Sequence, residues 1–300
     1  MLLARKTKIA KVYSFLIFLQ GALIVTGGSV RLTGSGLGCP TWPECTPGSY
    51  TPVPNQAEGQ LHAWIEFGNR LLTFVLLLTA LVVFFASLWL SKNVSNKQKI
   101  RGLAALQILG ILGQGVLGGI TVLTDLHPAT VAGHYILSIF LIAGALSLKY
   151  EVFGINRETT SGLISFLIPI LVWNTLLVLI IGTIVTGSGP HAGDESAPRF
   201  GFDPRLVSWL HADFVISLLI ITIILLLIAY QSNQTRLIRK FGQFLIIALS
   251  QGIIGYVQYF TGLPEIIVAL HLIGSTLVWG FVWRIAKMTN SGFRLQRLHR

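Results

Sequence analysis

The chain has 300 residues, of which 53% are hydrophobic and 11% charged, whereas soluble domains have about 25% charged residues. This composition excludes a soluble globular protein, and the long apolar runs indicate helical membrane spans rather than the short alternating strands of a closed barrel. The net charge of +11 does not indicate a nucleic-acid partner, because the basic residues concentrate in alternate short loops and at the termini, as topology signals do.

Eight segments are long enough to cross a bilayer, which takes about 20 apolar residues. The first follows basic residues, as in a signal peptide. It is longer than a signal's apolar core and lacks a small-residue cleavage site, so we expect it to be a retained helix. The predicted segments are 12–30, 61–90, 102–124, 128–148, 162–186, 205–230, 237–261 and 264–286.

Lysine and arginine are distributed unequally between the two sides of the membrane. Both termini and the loops after the second, fourth and sixth segments are basic. The other side has only Arg31, Arg199 and Arg205, with Arg70 just inside a helix. Because basic loops stay in the cytoplasm, we predict a multi-pass protein of the cell membrane with both termini cytoplasmic.

The first outer loop contains both cysteines of the chain, Cys39 and Cys45. The outer compartment permits disulfides, and turns can close this separation, although the sequence by itself does not show that the two pair. A bonded pair would be either a structural cross-link or a redox-active group, since strained exposed disulfides can be labile.

The chain contains an internal repeat. Gln114-Gly-Val-Leu-Gly and His134 recur as Gln251-Gly-Ile-Ile-Gly and His271, since 251 minus 114 and 271 minus 134 both give 137. Thr-Gly-Ser-Gly at 33–36 recurs at 186–189. Repeats with an even number of spans keep one orientation. We therefore predict an all-α polytopic membrane protein of two tandem four-helix bundles, 1–150 and 151–300, related by a pseudo-two-fold axis.

Polar groups occur at one depth in the even-numbered segments. At about 1.5 Å per residue they lie roughly 7–12 Å below the outer helix ends. Ionisable groups inside a membrane are costly, so they indicate a functional site. A single histidine could equally make a hydrogen-bonded helix contact, but the repeat and the shared depth favour metal ligation. The groups are Glu66, Asn69, His134, His211 and His271.

In the C-terminal half, His211 and His271 would project from facing helices. Two such imidazoles suit a six-coordinate haem with two axial ligands, whereas copper or zinc would need further ligands at this depth. His127, beside a proline, is predicted to be an interfacial or helix-capping residue. His191 in a loop and His299 in the tail have no predicted role.

The N-terminal half breaks the symmetry, because Asn69 stands where the counterpart of His211 is expected. Glu66 and Arg70 are four residues apart, in the favourable order for a helical ion pair. A buried carboxylate beside a weakly ligated position favours a reactive site, and the alternative is a purely structural pair. Arg31 and Arg70 could bind haem propionates bidentately, with an interfacial anchor as the alternative for Arg31.

Together these motifs resemble the bacterial haem A synthase family over essentially all eight segments. The segments that carry the resemblance are Val30-Arg-Leu-Thr-Gly-Ser-Gly-Leu37 with the cysteine pair, Glu66-Phe-Gly-Asn-Arg70, Leu126-His-Pro-Ala-Thr-Val-Ala-Gly-His134, Val185-Thr-Gly-Ser-Gly-Pro-His-Ala-Gly-Asp194 and Val268-Ala-Leu-His271. The resemblance implies an oxidoreductase that contains haem b and oxidises a methyl group of haem O to the formyl group of haem A, for terminal oxidases.

The resemblance also implies residue roles. His211 and His271 would hold haem b, and His134 would face the substrate haem O. Glu66 would be the catalytic carboxylate, accepting a proton or stabilising a developing cation. The cysteine pair 39 and 45 matches the family's first outer loop, which implies a disulfide, whereas the second pair that some members carry in the fifth loop is missing from this sequence.

The main departure from the family is Asn69, because many members have Glu-x-x-His-Arg here. Asparagine is a poor iron ligand compared with imidazole. Either His134 is the only strong ligand of the substrate haem, or His62 replaces the missing one. His62 lies two helical turns earlier, roughly 10 Å nearer the outer surface, which disfavours a direct replacement.

The alternative function is a dihaem membrane electron carrier or haem-binding subunit without catalysis. It predicts two symmetric bis-histidine sites and does not need Glu66. A transporter would instead place its polar groups near the membrane midplane. The partners implied are haem O, membrane lipid, haem O synthase and terminal oxidase assembly factors, with a homo-oligomer as an open question and no nucleic acid.

Overall fold

The computed structural model describes residues 2–92, 94–160 and 162–289. This part of the chain forms eight α-helices, all long and apolar enough to cross a membrane, which confirms the predicted all-α polytopic membrane fold. The helices are α1 (Leu2–Leu32), α2 (Gln60–Leu90), α3 (Lys97–Leu123), α4 (Pro128–Phe153), α5 (Gly162–Ser188), α6 (Pro204–Gln231), α7 (Thr235–Phe260) and α8 (Glu265–Met288).

Side-chain caps define where two of the site-bearing helices begin. At the start of α4, Nδ1 of His127 accepts a hydrogen bond from the Ala129 N–H at 3.3 Å. At the start of α6, Asp203 accepts from the Arg205 N–H at 2.8 Å. Each capping residue is followed by a proline. Proline is tolerated at this position, because the N–H that it lacks would have no partner within the helix. The capping role predicted for His127 is therefore confirmed.

The helices pack as two rings of four. In the first ring, α1 and α3 each contact α2 and α4, and α5 to α8 repeat this pattern in the same order. Between the rings, α4 packs on α5 and α8, and α1 packs on α8. A two-fold axis between the rings would exchange α1 with α5 and α4 with α8. It would therefore relate the α4–α5 contact to the α8–α1 contact, and both contacts are present. The packing therefore has the pattern that a two-fold relation requires.

Helices α4 and α8 form the centre of the contact between the rings. The indole Nε1 of Trp279, a residue only 1% exposed, donates to the Ile139 carbonyl at 2.6 Å. One turn away, the Tyr135 hydroxyl lies 3.1 Å from Oγ of Ser275. Buried indole and phenol groups need such partners, so these contacts set the register of α8 on α4 and the relative depth of the two rings.

Replacing Trp279 with phenylalanine removes the buried indole N–H that joins the rings. We expect the free energy of unfolding to fall by about 1 kcal/mol from the hydrogen bond alone, with a lower Tm in detergent by circular dichroism. Trp173→Phe is the control, because Trp173 on α5 is 59% exposed and should leave Tm unchanged. Equal effects of the two substitutions would contradict a central role for Trp279.

Candidate functional site

The carboxylate of Glu66 lies near the N-terminal end of α2, beneath the loop that carries the cysteines. Glu66 is 6% exposed. Its Oε2 accepts a hydrogen bond from the Cys39 N–H at 2.7 Å. Its Oε1 accepts from Nε and Nη2 of Arg70 at 3.1 and 2.6 Å. Both oxygens are therefore held by donors, and the negative charge is paired one helical turn away.

The guanidinium of Arg70 joins this carboxylate to the backbone of the outer loop. Nη1 donates to the Glu44 carbonyl at 3.2 Å, and Nη2 donates to the Cys39 and Thr41 carbonyls at 3.0 and 3.1 Å. Since protein groups use most of its donors, Arg70 has little capacity left for a haem propionate. Its contacts instead fix the path of the loop over α2.

The loop between α1 and α2 closes the outer end of the first ring. Cys39 and Cys45 form a disulfide with an S–S distance of 2.04 Å, which confirms the predicted pair, and both are fully buried. Trp42 packs on Gly119 of α3, where an added Cβ would approach the indole to 2.5 Å. The disulfide loop therefore extends from α2 to α3 across the top of this ring.

His134 on α4 is held by Gln114 of α3. The Gln114 amide nitrogen donates to the main-chain oxygen of His134 at 3.0 Å, and its amide oxygen pairs with the ring nitrogen Nδ1. With Nδ1 donating to Gln114, Nε2 is left as the acceptor. Partners of this kind orient the histidines that bind metals, so His134 is prepared to ligate through Nε2.

Asn69 stands opposite α1 rather than in contact with a charged group. Oγ1 of Thr26 donates to its Oδ1 at 2.7 Å. An added Cβ at Gly27 would lie 3.8 Å from its Nδ2. His62 contributes elsewhere, because it lines a cavity at the outer surface together with Arg31. The structure thus groups His62 with the surface cavity and Asn69 with α1.

His211 and His271 face each other across the second ring, with ring centroids 6.5 Å apart and planes inclined by 69°. A metal–imidazole bond is about 2.0 to 2.1 Å, so two imidazoles on opposite sides of one metal ion have centroids about 6 Å apart. Nδ1 of His211 and Nδ1 of His271 lie beside the glycines of the preceding helices, Gly182 and Gly255. The separation of the two imidazoles fits a metal centre bound between them.

A haem fits this pair better than a bare ion does. Within the described ranges, no group of three or more His, Cys, Asp or Glu side chains could hold a metal ion. A bare copper or zinc ion needs such a set. The porphyrin of a haem supplies four nitrogens itself, so two axial imidazoles complete the coordination.

A glycine on the preceding helix faces four of the five polar side chains at this depth. An alanine there would place its Cβ within 3.3 to 3.8 Å of the facing side chain. A Cβ at these distances makes an ordinary or slightly tight van der Waals contact, so each glycine lies against the side chain that it faces. The pairs are Gly27 with Asn69, Gly118 with His134, Gly182 with His211 and Gly255 with His271.

A cavity of about 800 Å³ opens at the outer surface where the loops of the two rings meet, and Arg31, His62, His191 and Arg199 are among its lining residues. Nη2 of Arg31 donates to the Thr186 carbonyl at 2.8 Å. Nε of Arg31 is buried and unpaired within the described part of the chain. Arg31 thus keeps a donor for an anionic group, which a carboxylate would satisfy.

The chain matches the model of the family COX15-CtaA, described as Cytochrome oxidase assembly protein, over residues 10–198. The chain belongs to this family. The matched region extends from α1 to the loop before α6 and contains Glu66, Asn69, Arg70 and His134. His211 and His271 lie beyond it, so their assignment rests on the repeat and on their geometry.

Curated relatives carry the name Heme A synthase. One from Lysinibacillus sphaericus is 30% identical over 169 residues, which cover 56% of this chain and 52% of the relative. Others from Geobacillus kaustophilus and Bacillus pumilus are 27% and 31% identical over 144 residues, which cover 48% of this chain and 43% and 44% of the relatives. The chain spans about half the length of the curated relatives it matches.

Sequence reasoning missed two residues that position the site. From the sequence, Gln114 was recognised only as part of the repeat, yet in the structure it orients His134. Its recurrence as Gln251 beside His271 was the available signal, because a repeated polar residue inside a span indicates a contact. Thr26, which holds Asn69, gave no such signal, because a threonine in a helix usually bonds its own preceding turn.

Replacing Arg70 with methionine leaves the buried Glu66 carboxylate without its partner. We expect a loss of about 3 kcal/mol in the free energy of unfolding, as for other broken buried pairs, measured as a lower Tm. Arg236→Met is the control. Its pair with Glu158 is exposed by 58% and 24%, and such pairs contribute less than about 1 kcal/mol. Similar losses of unfolding free energy in the two variants would show that the Glu66–Arg70 pair contributes no more than an exposed pair.

Proposed function

We propose that this chain is a haem A synthase, a membrane oxidoreductase that oxidises a methyl group of haem O to a formyl group. Two hydroxylations of the methyl carbon give a geminal diol that loses water, and an external oxidant must accept the four electrons that the carbon loses. Family membership and the names of the relatives support the proposal. The observation that carries it is the asymmetry between the rings, since among the described residues only the first ring has a buried carboxylate at the level of its histidine.

The second ring, in residues 151–300, is proposed to hold the haem b cofactor. His211 and His271 would hold it, as the 6.5 Å separation of their imidazoles suggests. Haem b supplies one-electron transfer when bound. Gly182 and Gly255 lie beside the imidazoles of His211 and His271. The protein would here supply these two imidazoles as the ligands of the haem and exclude others.

The first ring, in residues 1–150, is proposed to bind haem O. His134 would ligate its iron through Nε2, in the orientation that Gln114 imposes. Arg31, with an unpaired Nε beside the outer cavity, is the proposed contact for a propionate. Arg70 is less suited to that role, because its donors already serve Glu66 and the loop.

Glu66 is proposed as the catalytic carboxylate. Arg70 neutralises Oε1, whereas Oε2 accepts only the neutral Cys39 N–H. Oε2 therefore has a lone pair available to take up a proton as the methyl carbon is oxidised. Its charge would also stabilise positive charge that develops there. The disulfide loop holds this oxygen in place and covers the outer end of the ring.

The charge distribution supports a placement in the cell membrane with both termini in the cytoplasm. Haem O would then react near the outer end of the helices. An enzyme with this substrate and product would receive haem O from its synthase and deliver haem A to proteins that assemble terminal oxidases. These partners are part of the proposal.

Expression in a host that supplies haem O, followed by haem extraction and mass spectrometry, tests this function. Wild type should yield haem A or hydroxylated haem O. Glu66→Gln keeps an acceptor for the Cys39 N–H but removes the charge, so product should be lost while the haem b spectrum stays. Glu158→Gln, at an exposed pair, is the control with full product. Wild type without product would leave the dihaem carrier as the better assignment.

His271→Ala removes one proposed axial ligand of haem b. We expect the low-spin haem spectrum of the second ring to disappear, since a single histidine leaves the iron five-coordinate. His127→Ala, which alters only a helix cap, should keep that spectrum. The measurement is optical and electron paramagnetic resonance spectroscopy of the purified protein. An unchanged low-spin signal in His271→Ala would contradict the assigned ligand.

A further inference from the structure

We infer that the membrane-facing surface of α6 around Asp213 and Ser217 is a docking site for a transmembrane helix of another protein, and that this helix carries a lysine or arginine at the same depth. The site is independent of the proposed chemistry, because it lies on the outside of the second ring. It gives a role to a carboxylate that neither the packing of the helices nor the proposed reaction uses.

Asp213 lies inside the membrane-spanning part of α6. It follows Pro204, the first residue of this helix, by nine residues, which is about 13 to 14 Å at 1.5 Å per residue. The 28 residues of α6 extend over about 42 Å, whereas the apolar core of a bilayer is about 30 Å thick. A centred α6 therefore places the backbone of Asp213 roughly 7 Å inside the apolar core.

The side chain of Asp213 faces away from the interior of its ring. His211 faces His271 across that interior, and a residue two positions later is turned by about 200° around a helix. Asp213 is accordingly exposed, and so are Leu210 and Ile220 on the same side of α6. Helices α1, α4, α5 and α8 make the contacts between the rings, so this side of α6 faces the membrane.

The polar groups of Asp213 and Ser217 are unpaired within the molecule. The two residues lie one helical turn apart and line a groove of about 250 Å³ together with Phe214. In the part of the chain that the structure describes, neither the carboxylate nor the hydroxyl has a hydrogen-bond or ion-pair partner. Glu66, by contrast, is paired with Arg70. A carboxylate inside the apolar core needs such a partner, and this chain does not supply one to Asp213.

The first ring shows that the shared architecture does not require these two polar residues. The offset between α2 and α6 is 142, since 211 minus 69 gives 142. The same offset relates Asp213 to Leu71 and Ser217 to Val75. Leu71 and Val75 are exposed apolar residues, which is the usual choice on a surface that faces lipid. The polar pair is therefore a feature of the second ring alone.

The charge of Asp213 indicates the chemistry of the partner. A carboxylate and a hydroxyl one turn apart can both accept hydrogen bonds from an ammonium or guanidinium group. A second copy of this chain does not offer that group. In the half of the described helices that contains Asp213, the basic side chains are Arg31, Arg70 and Arg205. Arg31 and Arg70 bind carbonyls of their own chain, and Arg205 lies at the end of α6. The partner is therefore a different membrane protein.

A synthetic transmembrane helix is the probe. The full chain is reconstituted in lipid bilayers with a donor fluorophore on Ser232→Cys, in the turn after α6, because both native cysteines are bonded to each other. An apolar peptide with an acceptor fluorophore carries either lysine or leucine at one position, about 13 Å below its end. Energy transfer should show that the lysine peptide binds about tenfold more tightly than the leucine peptide, as for polar contacts between model helices.

Variants assign this preference to the groove. Asp213→Leu should remove the preference for the lysine peptide, and Ser217→Ala should weaken it. Asp213→Lys should reverse it, so that a peptide with aspartate at the same position binds more tightly than the lysine peptide. Leu71→Ala is the control, because it changes the counterpart of Asp213 in the first ring and should leave the preference unchanged.

Three results would overturn the inference. The first is equal binding of the lysine and leucine peptides to wild type, and the second is a preference that survives in Asp213→Leu. The third is energy transfer between two differently labelled copies of wild type that Asp213→Leu abolishes, because this surface would then join copies of the same chain. None of these measurements uses haem or product, so the outcome does not depend on the proposed function.

Discussion

The ion pair of Glu66 with Arg70 is the interaction on which the outer end of the first ring depends. Water in a membrane's apolar interior is scarce, so a buried carboxylate there needs partners supplied by the protein. Arg70 and the Cys39 N–H provide them. The same arginine binds three loop carbonyls. One set of contacts by Arg70 thus neutralises the carboxylate, fixes its position and sets the path of the disulfide loop.

The two rings share one arrangement of polar side chains and differ at one position of it. In each, a histidine on the last helix faces a glycine of the helix before it, His134 with Gly118 and His271 with Gly255. The second helix then breaks the symmetry, with His211 in one ring and Asn69 in the other. A matched pair of imidazoles favours a saturated haem suited to electron transfer. The unmatched ring, with its carboxylate, favours chemistry on a bound molecule.

Much of the fold was predictable because its signals are local. Span lengths follow from bilayer thickness, and all eight predicted spans are confirmed, although α1 begins at Leu2, ten residues before the predicted start at 12. The capping role of His127 followed from its place before a proline. The repeat marked Gln114 as a contact but did not name its partner. The contacts of Thr26 and Trp42 were not predictable, because each joins segments that are distant along the chain. No periodicity within one helix encodes which residue of a neighbour lies at hydrogen-bond distance.

The sequence by itself determined the membrane class, the helix count, the repeat and the residue types at one depth, since these depend on composition and spacing along one chain. Only the tertiary structure decided what those residues do together. It confirmed the predicted pair of Glu66 with Arg70 and added the contacts of Arg70 with three carbonyls of the disulfide loop. It also paired the Asn69 oxygen with Thr26. The physical reason is that a buried polar group's role is set by the partners that packing brings within hydrogen-bond distance.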